Sequence, residues 1–484
     1  MQMRFSFLSA LLFSTFVSAQ TDVVTNRYNQ FSHGANLHES ELSPVNVNPR
    51  TFGKLYSYYV DGAVYAQPLY VDHTLFVATM NDKIYAFDAT KPGPPKWLRD
   101  LTNERAGFTP VPVSDITNSN DLNIVGNVGI EGTPVIDVAS RAMYLVARAK
   151  ENGNYFQRLY KLDLLTGNDL ATPAIITAHV LGSAKDSRNG FVDFDPKAGN
   201  QRAALALVNG NVVIAWASHE DIRPYHGWIM AYDAEKLRQV DALCITPDMA
   251  DGGIWQSGRG PAIDGAGALY FEVGNGGWDG KRNFGNSVIK VRLDGGHLAV
   301  ESFYTPYDYQ QQNETDADLG SSGPLLIPST GVLVCGNKRG ALFLLQASSL
   351  GGMTVSDQGV QQSVELKSGR VLAGPSYWDG SMGPALFIWN EAGVIEMLRF
   401  TDKLLNPVVA VRGKVVSHGS PGGALTVSSA GAKAGTGIVW ATVGKNKSAD
   451  HGNALEYYAH LMPKRWRNCG IAKRMPNAIV WGPW

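Results

Sequence analysis

The sequence predicts an all-β fold, a β-propeller of four-stranded blades. Three observations carry this. First, residues 65–101 read as four short strands in a row: Gln67-Pro68-Leu69-Tyr70-Val71, Leu75-Phe76-Val77-Ala78-Thr79, Lys83-Ile84-Tyr85-Ala86-Phe87 and Lys96-Trp97-Leu98. Second, variants of this unit return along most of the chain, and a repeat of this length and strand content is the mark of a propeller. Third, residues alternate within strands, as in Asn211-Val212-Val213-Ile214-Ala215-Trp216, while helical periodicity is nearly absent.

The elements follow in order. Residues 1–19 read as a secretory leader: Arg4, an apolar run from Phe5 to Val17, and the small-residue cleavage site Val17-Ser18-Ala19, with Gln20 as the expected mature start. The apolar run is too short to span a bilayer and no second run of spanning length follows, so a secreted, extracellular protein is expected. Residues 20–60 form an N-terminal arm, in which Phe52–Tyr58 reads as a lone strand expected to complete the last blade and remove its open edge.

Residues 61–452 carry the propeller. A small residue or Gln before Pro opens the innermost strand at Pro68, Pro134, Pro261, Pro324, Pro375 and Pro421, and a unit without Pro starts near Arg202. That gives seven unit starts, near residues 67, 133, 202, 260, 323, 374 and 420. The third strand ends with an apolar residue and Asp at Asp88, Asp163, Asp233 and Asp294. Such an aspartate accepts backbone N–H groups of the following turn, a structural task. Residues 453–484 break the pattern. They are basic, with neither landmark, and read as an atypical tail or altered last blades.

The net charge of −1 without long charge blocks disfavours nucleic-acid binding. Cys244 and Cys335 lie in apolar runs and read as buried, inert thiols; with Cys469 the cysteine count is odd. Asn313-Glu314-Thr315 and Asn446-Lys447-Ser448 are glycosylation acceptor sequences, expected on surface loops.

In a propeller, residues just before each innermost strand ring the axis. Here they are Tyr65, Gln67, Glu131, Arg202, Trp255, Gln256, Ser257, Ser321, Ser322, Ser417 and His418. This mix suits a polar small molecule or carbohydrate, with Trp255 as a stacking platform and Glu131 as a candidate general base or hard-cation ligand. A water-filled channel of mutually satisfied polar groups is the alternative. A second cluster, Ser218-His219-Glu220-Asp221 with His226, has residue types that bind a transition metal or shuttle protons, or that simply tie a loop by hydrogen bonds. The stretch Gly274–Gly280 with Asp279 reads as a turn cluster or, alternatively, a Ca²⁺ loop. No P-loop, Gly-x-Ser-x-Gly elbow or HExxH motif is present.

Several segments together resemble secreted proteins of the pyrroloquinoline quinone (PQQ) repeat class, in the quinoprotein alcohol dehydrogenase-like superfamily. They are Leu42-Ser43-Pro44-Val45-Asn46-Val47, Gly62-Ala63-Val64-Tyr65-Ala66-Gln67-Pro68, Gly129-Ile130-Glu131-Gly132-Thr133-Pro134, Ala217-Ser218-His219-Glu220, Gly252-Gly253-Ile254-Trp255-Gln256-Ser257 and Leu319-Gly320-Ser321-Ser322-Gly323-Pro324. The resemblance implies an eight-bladed propeller, here with an incomplete closing blade. It implies PQQ with Ca²⁺ on the axis in members that oxidise alcohols or sugars, and scaffolds or binding modules without quinone in other members. A protein partner on a propeller face is compatible with the latter. The chain has neither the adjacent cysteine pair of the alcohol dehydrogenase branch nor a CxxCH haem site.

Overall fold

The computed structural model describes residues 21–443, except 49, 118–123 and 418, together with the strand Glu456–Leu461. The expected leader, the Asn446 acceptor sequence, Cys469, His418 and most of the basic tail therefore lie outside the described residues.

Seven antiparallel blades follow one another along the chain. Blade 1 is Leu69–Val71, Thr74–Ala78, Lys83–Asp88 and Trp97–Asp100. The innermost strands of the next six blades are Val135–Asp137, Ala206–Val208, Ala262–Ile263, Leu325–Ile327, Ser376–Gly380 and Gly423–Ser428. Each expected Pro stands just ahead of its strand. Proline lacks an N–H, so it is tolerated at a strand's first position and not within the ladder. Asp88, Asp163 and Asp233 accept backbone N–H groups from Thr90, Leu165 and Lys236 at 3.0, 3.0 and 2.8 Å, the turn role expected of them.

Neighbouring blades are joined by buried apolar clusters, such as Phe76, Ala78, Met143 and Leu145 between blades 1 and 2, and Trp389, Phe387, Leu425 and Val439 between blades 6 and 7. Six such clusters join the seven blades in sequence. Among the described residues none joins blade 7 to blade 1. The ring is thus an incomplete eight-bladed propeller. At the seam, Phe52 meets Trp440 of blade 7 at 5.3 Å between ring centroids, and Tyr58 stacks on Phe87 of blade 1 at 4.3 Å. Residues 52–60 therefore strap the seam instead of forming the expected closing strand; no strand is assigned there. The hydroxyls of Tyr56 and Tyr58 hold the strap to the carbonyls of Ala89 and Asp88 by side chain, which leaves its backbone outside any ladder.

The strand that does join blade 7 is Ala35–Asn36, parallel to Gly423–Ser428 on its inner edge. Blade 7 also takes a third strand, Glu456–Leu461, from the segment expected to lie outside the propeller. Its two tyrosines, Tyr457 and Tyr458, are strand-favouring residues.

The arm ahead of Ala35 lines the axis. The amides of Ile136, Ile263, Leu326, Tyr377 and Val427 donate to the carbonyls of Val24, Gln30, Phe31, His33 and Gly34, at 2.7–3.0 Å, and Val23 exchanges two bonds with Tyr70. One segment thus pairs with the inner edge of six blades. Arg27, buried, donates from Nη1 to Leu425 O (2.5 Å) and from Nη2 to Pro375 O (3.0 Å) and Ser376 Oγ (2.6 Å). Gly34 (φ +64°) lies under that guanidinium, where a Cβ would collide with it.

Cys244 and Cys335 are buried, and burial pushes the Cys244 thiol up to about 12, which keeps it protonated. Asp279 accepts backbone N–H groups from Lys281, Arg282 and Asn283 at 2.8–2.9 Å, a turn cluster. Asn313 lies on the short helix Tyr309–Glu314, not on a loop, and its amide donates to Gly276 O at 3.0 Å.

Candidate functional site

The residues ahead of the inner strands converge on an axial cavity of about 240 Å³. The arm's hydrogen-bond partners lie downstream of each Pro, whereas the cavity residues lie upstream, so the arm crosses the axis on the far side of the strand starts. Of the expected ring, Tyr65, Glu131, Arg202, Trp255, Ser257 and Ser321 line the cavity. Asn200, Ser218, His219 and Glu220 join them.

Glu131 and Arg202 form the charged floor. Arg202 Nε stands 3.5 Å from Glu131 Oε1, and both side chains are less than a tenth exposed. Burial pushes the Glu131 carboxyl up; the Arg202 and Arg148 charges and the Asn200 amide pull it back. Burial, helped by Glu131, takes the Tyr65 hydroxyl to about 12. Arg148 comes from the long second strand of blade 2 and donates to Lys197 O at 3.1 Å and to Gly199 O. Gly258 (φ +77°) packs under Arg202, where a Cβ would collide with the guanidinium.

Trp255 is held on three sides. Its Nε1 donates to Ser218 O at 3.0 Å, Tyr225 meets it edge-on at 6.1 Å, and Gly253 and Gly274 pass so close that a Cβ would stand 2.6–2.7 Å from its ring. Ser257 Oγ donates to Ser321 O or Leu372 O, both at 2.6 Å. His219 is neutral: burial drives its pKa well down and the Arg148 charge adds to that. Asn200 Oδ1, Ser218 Oγ and His219 Nε2 are buried without a hydrogen-bond partner among the described residues.

The other expected residues lie elsewhere. Gln67 turns to the arm, where its Oε1 accepts from Asn26 Nδ2 (3.2 Å) and Arg27 N (3.3 Å). Gln256 is fully buried between Glu272 N (2.8 Å) and Arg259 O (3.0 Å). Ser322 donates to the Glu272 carboxylate at 2.8 Å. Ser417 donates to Asn390 O at 2.7 Å. His226 does not share a site with His219: its Nδ1 faces Thr246 O at 3.0 Å and its Nε2 faces Asp186 at 3.2 Å, the loop-tying arrangement. Among the described residues no three His, Cys, Asp or Glu side chains converge on a metal position. Asn200 was missed because it precedes the one unit start without Pro, and Arg148 because it lies within a strand.

No family model matches the chain, and no curated protein matches it in sequence. Solved structures do match. The quinohemoprotein alcohol dehydrogenase of Pseudomonas putida HK5 aligns over 93% of this chain at 17% identity, TM-score 0.50. That of Comamonas testosteroni aligns over 92% at 14% identity, TM-score 0.51, covering 68% of its own length. A europium-containing methanol dehydrogenase aligns over 88% at 14% identity, TM-score 0.50, covering 77% of its length. The shared property is the fold. The chain spans 59% of the length of the Pseudomonas enzyme.

Proposed function

We propose that the axial cavity binds a neutral, hydroxyl-rich small molecule, a monosaccharide or the end of a short glycan, and that the propeller works as a binding module. The observation that carries this is the set of buried polar atoms without partners among the described residues, Asn200 Oδ1, Ser218 Oγ and His219 Nε2, around one cavity with Trp255. Each such atom costs about 1–3 kcal/mol unless water or a ligand meets it. Sugar hydroxyls donate and accept, and the apolar face of a sugar ring packs on an indole. In this reading the module works outside the cell, on the strength of the leader-like residues 1–19.

The shared fold raises a second reading, a quinoprotein oxidoreductase. The cavity chemistry fits PQQ poorly. PQQ is a tricarboxylate, whereas the lining offers one guanidinium, Arg202, already set against Glu131, and a second carboxylate, Glu220. Ca²⁺ takes six to eight oxygens, and among the described residues the acidic side chains do not converge.

The test is saturation-transfer NMR of the purified protein with glucose, galactose, xylose and cellobiose, beside dye reduction with added PQQ and Ca²⁺. Saccharide contact without quinone turnover is expected. Quinone absorbance with dye reduction, and no saccharide contact, would overturn the proposal.

A further inference from the structure

A second chamber lies on the axis at the level of the arm, between residues 24–32 and the inner strands of blades 2, 3 and 4, with a volume of about 230 Å³. Its cause is local. The arm bonds to the inner edges of blades 1 and 2 through Val23 and Val24, and to blades 4 to 7 from Gln30 onward. Between these, Arg27 and Tyr28 both adopt left-handed backbone (φ +63° and +69°) and carry the arm away from blade 3.

Blade 3 is left with an open position. Leu207 pairs with Val212 as Tyr70 pairs with Leu75, one residue inside the same two-residue hairpin. Tyr70 N–H points to the axis and donates to Val23 O. The Leu207 N–H and C=O point the same way, line the chamber, and have no partner among the described residues. Two further polar atoms line the chamber without partners among the described residues: Asn26 Oδ1 and the Oγ of Ser32, a residue only 4% exposed. The flanks on either side of Leu207 are apolar, from Val135 and Ile136 of blade 2 and Pro261 ahead of blade 4.

One donor, the Leu207 N–H, with two acceptors, the Leu207 C=O and Asn26 Oδ1, one hydroxyl and apolar flanks form the complement of a secondary amide with a methyl group. We propose that this chamber binds an acetamido group. The carbonyl accepts from Leu207 N–H, the amide N–H donates to Asn26 Oδ1, Ser32 Oγ completes the polar side, and the methyl packs on Val135, Ile136 and Pro261. The proposal is independent of the reading of the upper cavity, because Leu207 reports on this chamber alone.

The test is hydrogen exchange of the Leu207 amide in the full chain, with N-acetylglucosamine, N-acetylalanine methylamide, glucosamine and glucose as probes. The two acetamides slow exchange at least tenfold at saturation, and glucosamine and glucose leave it unchanged. Protection by one acetamide alone supports the proposal and names the source, an N-acetylated sugar or an acylated peptide. Ser32→Ala weakens the effect about fivefold, the value of one neutral hydrogen bond. Equal protection by glucosamine or glucose, or none by any probe, overturns the proposal.

Discussion

Replacing Arg27 with Met keeps the aliphatic stem and deletes the guanidinium that ties the arm to blades 6 and 7. Three hydrogen bonds to a charged group are lost, each of the order of 1.5–3 kcal/mol. Two effects reduce that sum. Leu425 O keeps its bond from Ser376 Oγ at 2.7 Å, and Pro375 O keeps Arg259 Nη2 at 2.9 Å, so neither acceptor is orphaned. The guanidinium itself is held against desolvation, since burial lowers its pKa to about 10. A net loss of about 2–3 kcal/mol remains, or roughly 30- to 150-fold in the local opening constant, at 1.36 kcal/mol per factor of ten. The assay is native-state hydrogen exchange of Tyr377 and Val427, whose amides donate to His33 O and Gly34 O. Both exchange faster in the variant, whereas core amides of blade 3, such as Ile214, keep their protection. Unchanged protection at Tyr377 and Val427 in a folded variant would refute the view that Arg27 anchors the arm.

Other perturbations have equally definite outcomes. Gly258→Ala forces a Cβ into the Arg202 guanidinium and onto a left-handed backbone; saccharide affinity falls at least tenfold in calorimetric titration while the far-ultraviolet spectrum is retained. Tyr58→Ala removes the stack on Phe87, a contact of about 1 kcal/mol, and limited proteolysis then cuts residues 53–60 several-fold faster. Glu272 is buried and its carboxyl is raised from 4.5 to about 7. The folded state holds this proton more tightly than the unfolded chain, so stability falls as pH rises from about 4.5 to about 7 and is flat above. Glu272→Gln removes that slope, as read from urea midpoints at pH 5 and pH 8.

The blades were legible because each rests on local signals: Pro ahead of an inner strand, Asp after a third one, and alternation between. The arm was not, because residues 23–36 bind the blades through backbone groups, which leave no side-chain pattern. The strap was misread as a strand for a related reason. Tyr56 and Tyr58 are strand-favouring residues, yet here they are spent on carbonyls of blade 1. The axial site was half legible. The residues ahead of each inner strand sit in turns and bends, as at Gln256 (φ +51°) and Ser257 (φ +48°), where neighbouring side chains diverge with no fixed period. Ser321 and Ser257 line the cavity, while Ser322 and Gln256 turn to Glu272 and its strand. Spacing alone did not say which member of each pair would face the axis. His219 and His226 were joined by sequence proximity and are separated by the loop that carries them.

The central claim, that the axial cavity is a saccharide site built on Trp255, is tested most directly by isothermal titration of the wild type and Trp255→Ala with the same monosaccharide. The account predicts a single-site isotherm for the wild type and at least a tenfold loss of affinity in the variant. No heat from any saccharide, or equal affinity in both proteins, would contradict it.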